Sequence, residues 1–130
     1  MKSPIQQEYN KHLGPVNDIE FMPGMMSCFA SGSSDGSVRI FDLRMTKEVA
    51  ILIDQINPCA VHSISFSPSG RVIIAGSEFK KVKAWDTLLD ADPFNYFDFG
   101  YQVGMQWVKM AKDGFTMGVL GKDGVIGIAL

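Results

Sequence analysis

Two segments of this chain end alike, Ile40-Phe41-Asp42-Leu43 and Ala84-Trp85-Asp86-Thr87, and their aspartates stand 44 residues apart. A period of that length confines the fold to architectures in which one supersecondary unit is stacked on copies of itself. Matching blocks lie upstream. Phe29-Ala30-Ser31-Gly32-Ser33 corresponds to Ile74-Ala75-Gly76-Ser77, with Gly32 and Gly76 again 44 apart. Phe21-Met22-Pro23-Gly24 corresponds to Phe66-Ser67-Pro68-Ser69-Gly70, where the glycine interval of 46 implies a longer connecting turn. A fainter third copy places Met110-Ala111-Lys112-Asp113-Gly114 in the Ser-Pro-Ser-Gly position and Lys122-Asp123-Gly124 in that of Ser34-Asp35-Gly36, twice the period further on.

Each copy reads as short strands separated by turn residues, with no helical period sustained over the ten or so residues a helix needs. Strands are predicted near Val16 to Phe21, Ser27 to Ser31, Val38 to Asp42 and Val49 to Ile53, then near Val61 to Phe66, Arg71 to Ala75, Val82 to Trp85 and Phe94 to Phe97. Asp-Gly at 35–36, 113–114 and 123–124 supplies residues that tolerate the positive φ of tight hairpins. Four strands per period make a blade, and the fold class predicted is all-β.

Composition narrows the function. The chain has 130 residues, 46% of them apolar, the balance of a single globular domain. Twelve basic against fourteen acidic side chains leave a net charge of −2, so no positive field draws it to nucleic acid or to an anionic membrane. Cys28 and Cys59 stand too far apart for a CxxC motif and read as buried thiols in a reducing, cytoplasmic compartment. The opening residues lack a secretory h-region, and no apolar run approaches the roughly 18 residues of a membrane span.

Reactive groups do not converge into a catalytic set. His12 and His62 are the only histidines, and His62 alternates with Ile64 on a predicted strand, so a metal site built on the pair is not expected. Gly118-Val-Leu-Gly121-Lys122-Asp123 departs from a phosphate loop at Thr116 and Asp123. Asp86, Asp90, Asp92 and Asp98 lack the ligand spacing of a calcium loop and read as a solvated connection, the one place where a hydrolase reading could start. Phe94, Tyr96, Phe97, Phe99, Tyr101 and Trp107 read as filling between blades, and Lys80, Lys81 and Lys83 as the solvent face and turn of a strand. No cofactor is expected, nor an enzyme.

The repeat length, the four strands and the Trp85-Asp86 ending together resemble the WD40 family, whose blades stack radially into β-propellers. The runs Phe29 to Arg44 and Ser65 to Gly76, with the Phe41-Asp-Leu-Arg44 ending, are most similar to the last three blades of heterotrimeric G-protein beta subunits. The resemblance implies about three four-stranded antiparallel blades of an incomplete propeller. It implies a lead-in or outer strand over 1–11, with Gln6 to Lys11 closing a preceding blade, and repeats over 12–54, 55–98 and 99–130, the third ending at its third strand. It also implies a hydrogen-bonded blade network. In the first copy this would use His12, Ser31 and Asp35, with Phe41 where the family carries tryptophan. The second offers Trp85 and Asp86 but Phe79 at the turn aspartate's place, and the third keeps Asp123 but has Tyr101 and Ala129 in place of histidine and tryptophan.

By the same resemblance the partner-binding rim comprises Pro15, Asn17, Ser34 and Lys122. Asn17 matches the family's asparagine, Pro15 and Ser34 fall where it has aspartates, and Lys122 where it has a tryptophan. The implied function is a non-catalytic protein-binding scaffold in G-protein-coupled signalling, cytoplasmic or held at the inner membrane face through partners. The implied partners are alpha and gamma subunits and effectors, with remaining blades or a second copy completing the ring. A WD40 assembly scaffold outside G-protein signalling is the alternative.

Overall fold

A computed structural model describes residues 8–25, 27–45, 48–56, 58–77, 81–89, 92–98, 107–113, 116–121 and 124–129. All of its regular structure is strand: β1 Val16–Phe21, β2 Cys28–Ser33, β3 Ser37–Asp42, β4 Glu48–Ile53, β5 Val61–Phe66, β6 Val72–Ser77, β7 Lys81–Asp86, β8 Asn95–Asp98, β9 Trp107–Met110, β10 Thr116–Gly121 and β11 Gly124–Ala129. They form three antiparallel sheets, β1-β2-β3-β4, β5-β6-β7-β8 and β9-β10-β11. The repeat thus appears as three successive meanders. Where strand ends differ from expectation, β2 and β6 run two residues further, to Ser33 and Ser77, because their backbones stay paired up to the turn.

The sheets stack face to face, with β1 against β5 and β5 against β9. Between the first two, Val38, Ile40 and Leu52 of one sheet pack on Ile64, Ile73 and Trp85 of the next. Between the last two, Ile74, Val82 and Ala84 meet Val108 and Met117. Strand β6 is therefore buried on both faces, which explains its unbroken run Val72-Ile73-Ile74-Ala75 in place of alternation. Each fully buried aliphatic side chain there contributes on the order of 1.5–3 kcal/mol.

Close approach sets one position. A Cβ on Gly32 would lie 2.6 Å from Val61 Cγ1 and 3.1 Å from Ile64 Cγ2, so glycine lets the first two blades meet. At the β2–β3 turn Gly36 has φ +89°, the left-handed conformation expected of Asp35-Gly36.

Glu8 to Lys11 pair with no strand among the described residues, and Tyr9 lies over the first sheet, its hydroxyl donating to the carbonyls of Asp42 (3.0 Å) and Met45 (2.7 Å). An aromatic anchor, not ladder pairing, docks this stretch; residues 6 and 7 lie outside the described residues. Phe94, placed in the core by its aromatic character, is 60% exposed.

Candidate functional site

The β1 entry and the β2–β3 turn meet at one end of the first sheet. Ser34 N donates to Pro15 O at 2.9 Å, and the Asn17 amide donates to Ser34 Oγ at 2.9 Å and to Val61 O at 2.8 Å. Pro15, Asn17 and Ser34 are thus brought together on an exposed rim, and Asn17 ties that rim to the start of the second sheet. Leu13, 91% exposed, and Val16 add apolar surface beside them. Lys122 and Asp123 lie outside the described residues.

Directly beneath the rim, Asp35 collects donors. The His12 Nδ1–H (3.1 Å) and Leu13 N–H (2.9 Å) donate to its Oδ2, and Ser37 N–H (2.8 Å) and Ser37 O–H (2.6 Å) to its Oδ1. A carboxylate only accepts, so Nδ1 carries a proton, and Nε2 on the other side of the ring is hydrogen-bonded to the Ser31 hydroxyl at 2.6 Å. Burial works to raise the Asp35 pKa but is outweighed by these bonds, from Ser37, the Leu13 amide and His12, which hold the carboxyl well below the usual carboxylate range. His12, Ser31 and Asp35 therefore converge, while Phe41 stands apart from the hydrogen bonds. Its ring stacks on Phe29 at 5.3 Å and meets Tyr9 at 4.6 Å.

The second blade differs as its sequence differs. Trp85 is 1% exposed and its indole N–H has no acceptor among the described residues; the positions of Glu78 and Phe79 lie outside them. Asp86 acts at the strand end, accepting from Leu88 N (2.9 Å) and Arg71 Nε (2.8 Å). Asp42 does the same one period earlier, accepting from Arg44 N (2.9 Å) and pairing with its guanidinium. Hydrogen bonding from Arg44 and from Arg71, respectively, lowers the pKa of each carboxyl. The repeated aspartate caps the turn after the third strand, a role the spacing alone did not disclose.

Two features escaped sequence reasoning. Asp18 Oδ2 accepts from Ile64 N (2.9 Å), Ser63 Oγ from Val108 N (3.2 Å) and Ser65 Oγ from Met110 N (2.9 Å). Short polar side chains on each first strand thus cap backbone amides of the next, at sequence separations of 45 or 46. The signal was there, one period apart, but serines in a strand look like solvent-facing residues. The second is Lys83, expected on a solvent face. Its side chain is 1% exposed and its Nζ lies 2.9 Å from Asp54 Oδ2, itself buried, with Tyr96 O–H and Ile56 N–H donating to Asp54 Oδ1. It points inward because β7 is a covered strand and the blade connection supplies a carboxylate. Of the aspartates read as a solvated connection, Asp86 is partly buried and paired, and Asp92 accepts from Gln55 N (3.1 Å).

The blades, their face-to-face stacking and the turn-capping aspartates define a WD40 repeat array. The family described as "WD domain, G-beta repeat" matches residues 3–42 and 49–86, and the chain belongs to it. It is 37% identical over 87 residues to a guanine nucleotide-binding protein subunit beta of Oryza sativa subsp. indica, covering 62% of this chain and 22% of that protein. To subunit beta-5b of Danio rerio it is 35% identical over 86 residues, covering 66% and 21%. To cleavage stimulation factor subunit 50 of Arabidopsis thaliana it is 28% identical over 128 residues, covering 95% and 29%. The chain spans about a fifth of the length of the beta subunits it matches. Among the described residues, no helix is long and apolar enough to cross a membrane.

Proposed function

We propose that this chain is a non-catalytic protein-binding scaffold that acts in G-protein-coupled signal transduction as part of a beta-like propeller. The observation that carries the reading is the rim. Asn17, Ser34 and Pro15 sit together on an exposed end of the first blade, in a chain whose relatives include G-protein beta subunits. Loops on a rigid scaffold are where recognition residues concentrate. The proposed partners are an alpha subunit at this rim, with Lys122 contributing from the third repeat, a gamma subunit and effectors. Localisation is then cytoplasmic, or at the inner membrane face through those partners.

Calorimetric titration with a GDP-bound alpha subunit tests this. Saturable binding that Pro15→Arg weakens roughly tenfold supports the rim. Absence of binding at about 0.1 mM leaves the second reading, an assembly scaffold outside G-protein signalling. The match along 95% of this chain to a cleavage-factor subunit favours that alternative.

A further inference from the structure

The repeat lets a covered face of this chain be compared with its own counterpart one blade earlier. On the second sheet, Ile64, Phe66, Ile73 and Trp85 share the face that meets the first sheet, and the most exposed of them, Phe66, is 7% accessible. Their counterparts 44 or 45 residues earlier are Ile19, Phe21, Phe29 and Phe41, which the strand register sets on the corresponding face of the first sheet. Tyr9 lies over the Phe29 and Phe41 end. Ile19, however, is 53% exposed and Phe21 59%, and Ile51 and Ile53, exposed as well, continue the same face outward. Arg39 on this face is paired with Glu48 at 3.1 Å, and Ser31 and Ser37 are held in the His12–Asp35 network, so none of these opposes an apolar cover.

The molecule also shows what covers such a face. On the second sheet the cover is the reverse side of the first, where Ala30, Val38, Ile40 and Leu52 pack and Gly32 makes room for Val61 and Ile64. The third sheet has a reverse side of the same kind. Val108 and Met117 face the second sheet, so strand alternation turns Gly118 and Leu120 the other way. Gly118 is the counterpart of Ala30, and Leu120 of Gly32, each 88 residues on. A Cβ added to Gly118 would meet nothing within 4 Å, and Leu120 is 48% exposed. The register sets Gly118 opposite Gly127, so two bare glycines lie side by side on adjacent strands. One chain thus carries both halves of a blade junction, a face of large apolar side chains and a reverse side with room for them.

We infer that a second copy of this chain covers the open face of the first sheet with the reverse side of its third sheet, and receives the same contact in return. Ile19 and Phe21 of one copy pack at Gly118 and Leu120 of the other. Each junction is head to tail, and the two together close the assembly. Two copies bring six sheets, within the roughly four to eight of closed propellers, whereas a third copy would exceed that range. The contact is apolar, so added salt does not weaken it. This assembly does not depend on which partner the rim takes.

Light scattering on a sizing column, with the full chain at about 1 µM to about 0.1 mM, is expected to give a discrete species of twice the chain mass that persists in about 1 M sodium chloride. Phe21→Asp and Leu120→Asp, both at exposed positions and each checked for its strand spectrum, separately weaken self-association at least roughly tenfold. Mixed in equal amounts, the two variants regain a dimer, because one junction then joins two unaltered faces. Where an aspartate variant loses its spectrum, Ile19→Thr or Leu120→Thr takes its place in the same mixing test. A folded monomer throughout the range, species that grow without limit, or a dimer indifferent to both substitutions overturns the inference. So does a mixture that stays monomeric, the result expected if two first-sheet faces paired symmetrically.

Discussion

The Asp35 carboxylate illustrates how a single residue organises the end of a blade. Four donors from three residues converge on it, and the side chains of His12 and Asp35 are only 7% and 9% exposed. Replacing His12 with alanine strands part of that donor set and should cost about 1–3 kcal/mol in urea unfolding. The pH dependence has a definite sign. Because the folded pKa lies below the unfolded one, near ~3.9, the contribution is fully present above that value and lost as pH falls through the acid range below it. Asp35→Asn should therefore lower stability at neutral pH and flatten its decline between about pH 4 and about pH 2, as urea midpoints at each pH would show. Asp42 and Asp86, on more exposed ion pairs screened by solvent, should leave a smaller residual slope. This network was legible in the sequence because the family resemblance fixes its positions. The replacement of tryptophan by Phe41 was legible too, but its stacking on Phe29 and Tyr9 was not, since Tyr9 is 20 residues from Phe29 along the chain.

Between elements, the blades are held by a close approach, by side-chain caps and by a buried charge pair. Gly32→Ala should overpack the junction with Val61 and Ile64 and destabilise by about 1–3 kcal/mol, read from the shift in denaturant midpoint at unchanged m. The Lys83–Asp54 pair is a sharper test. Lys83→Met alone leaves Asp54 buried without its cation and should cost about 3–5 kcal/mol, whereas Lys83→Met with Asp54→Leu should recover most of that loss. A double-mutant cycle measures the recovery, and a double variant as unstable as the single would contradict the pairing. Strand positions could be read from alternation and turn chemistry, β1 and β5 to the residue. The inward turn of Lys83 could not, because lysine is read as solvent-facing unless its partner is known, and Asp54 lies 29 residues earlier on another blade. Covered strands such as β6 lose the alternation that marks their faces.

At the scale of the whole molecule, function depends on whether the three sheets act as one body. The proposed binding rim, assembled from the β1 entry, the β2–β3 turn and the start of β5, keeps its shape only if the first strands of neighbouring blades move together. Asp18, Ser63 and Ser65 make that connection, each capping an amide of the next blade. Lys109 adds a contact to Glu20 that reaches from the third sheet to the first, and hydrogen bonding to Glu20 raises the lysine pKa. The most direct measurement is amide hydrogen exchange across the chain, followed residue by residue in the wild type and in Asp18→Asn with Ser63→Ala. The account predicts slow exchange at Ile64, Val108 and Met110 in the wild type, with Ile64 and Val108 released in the variant ahead of the strand cores. Fast exchange at all three amides in the wild type, beside protected strands within each sheet, would mean that the blades are independent and would contradict the rigid scaffold.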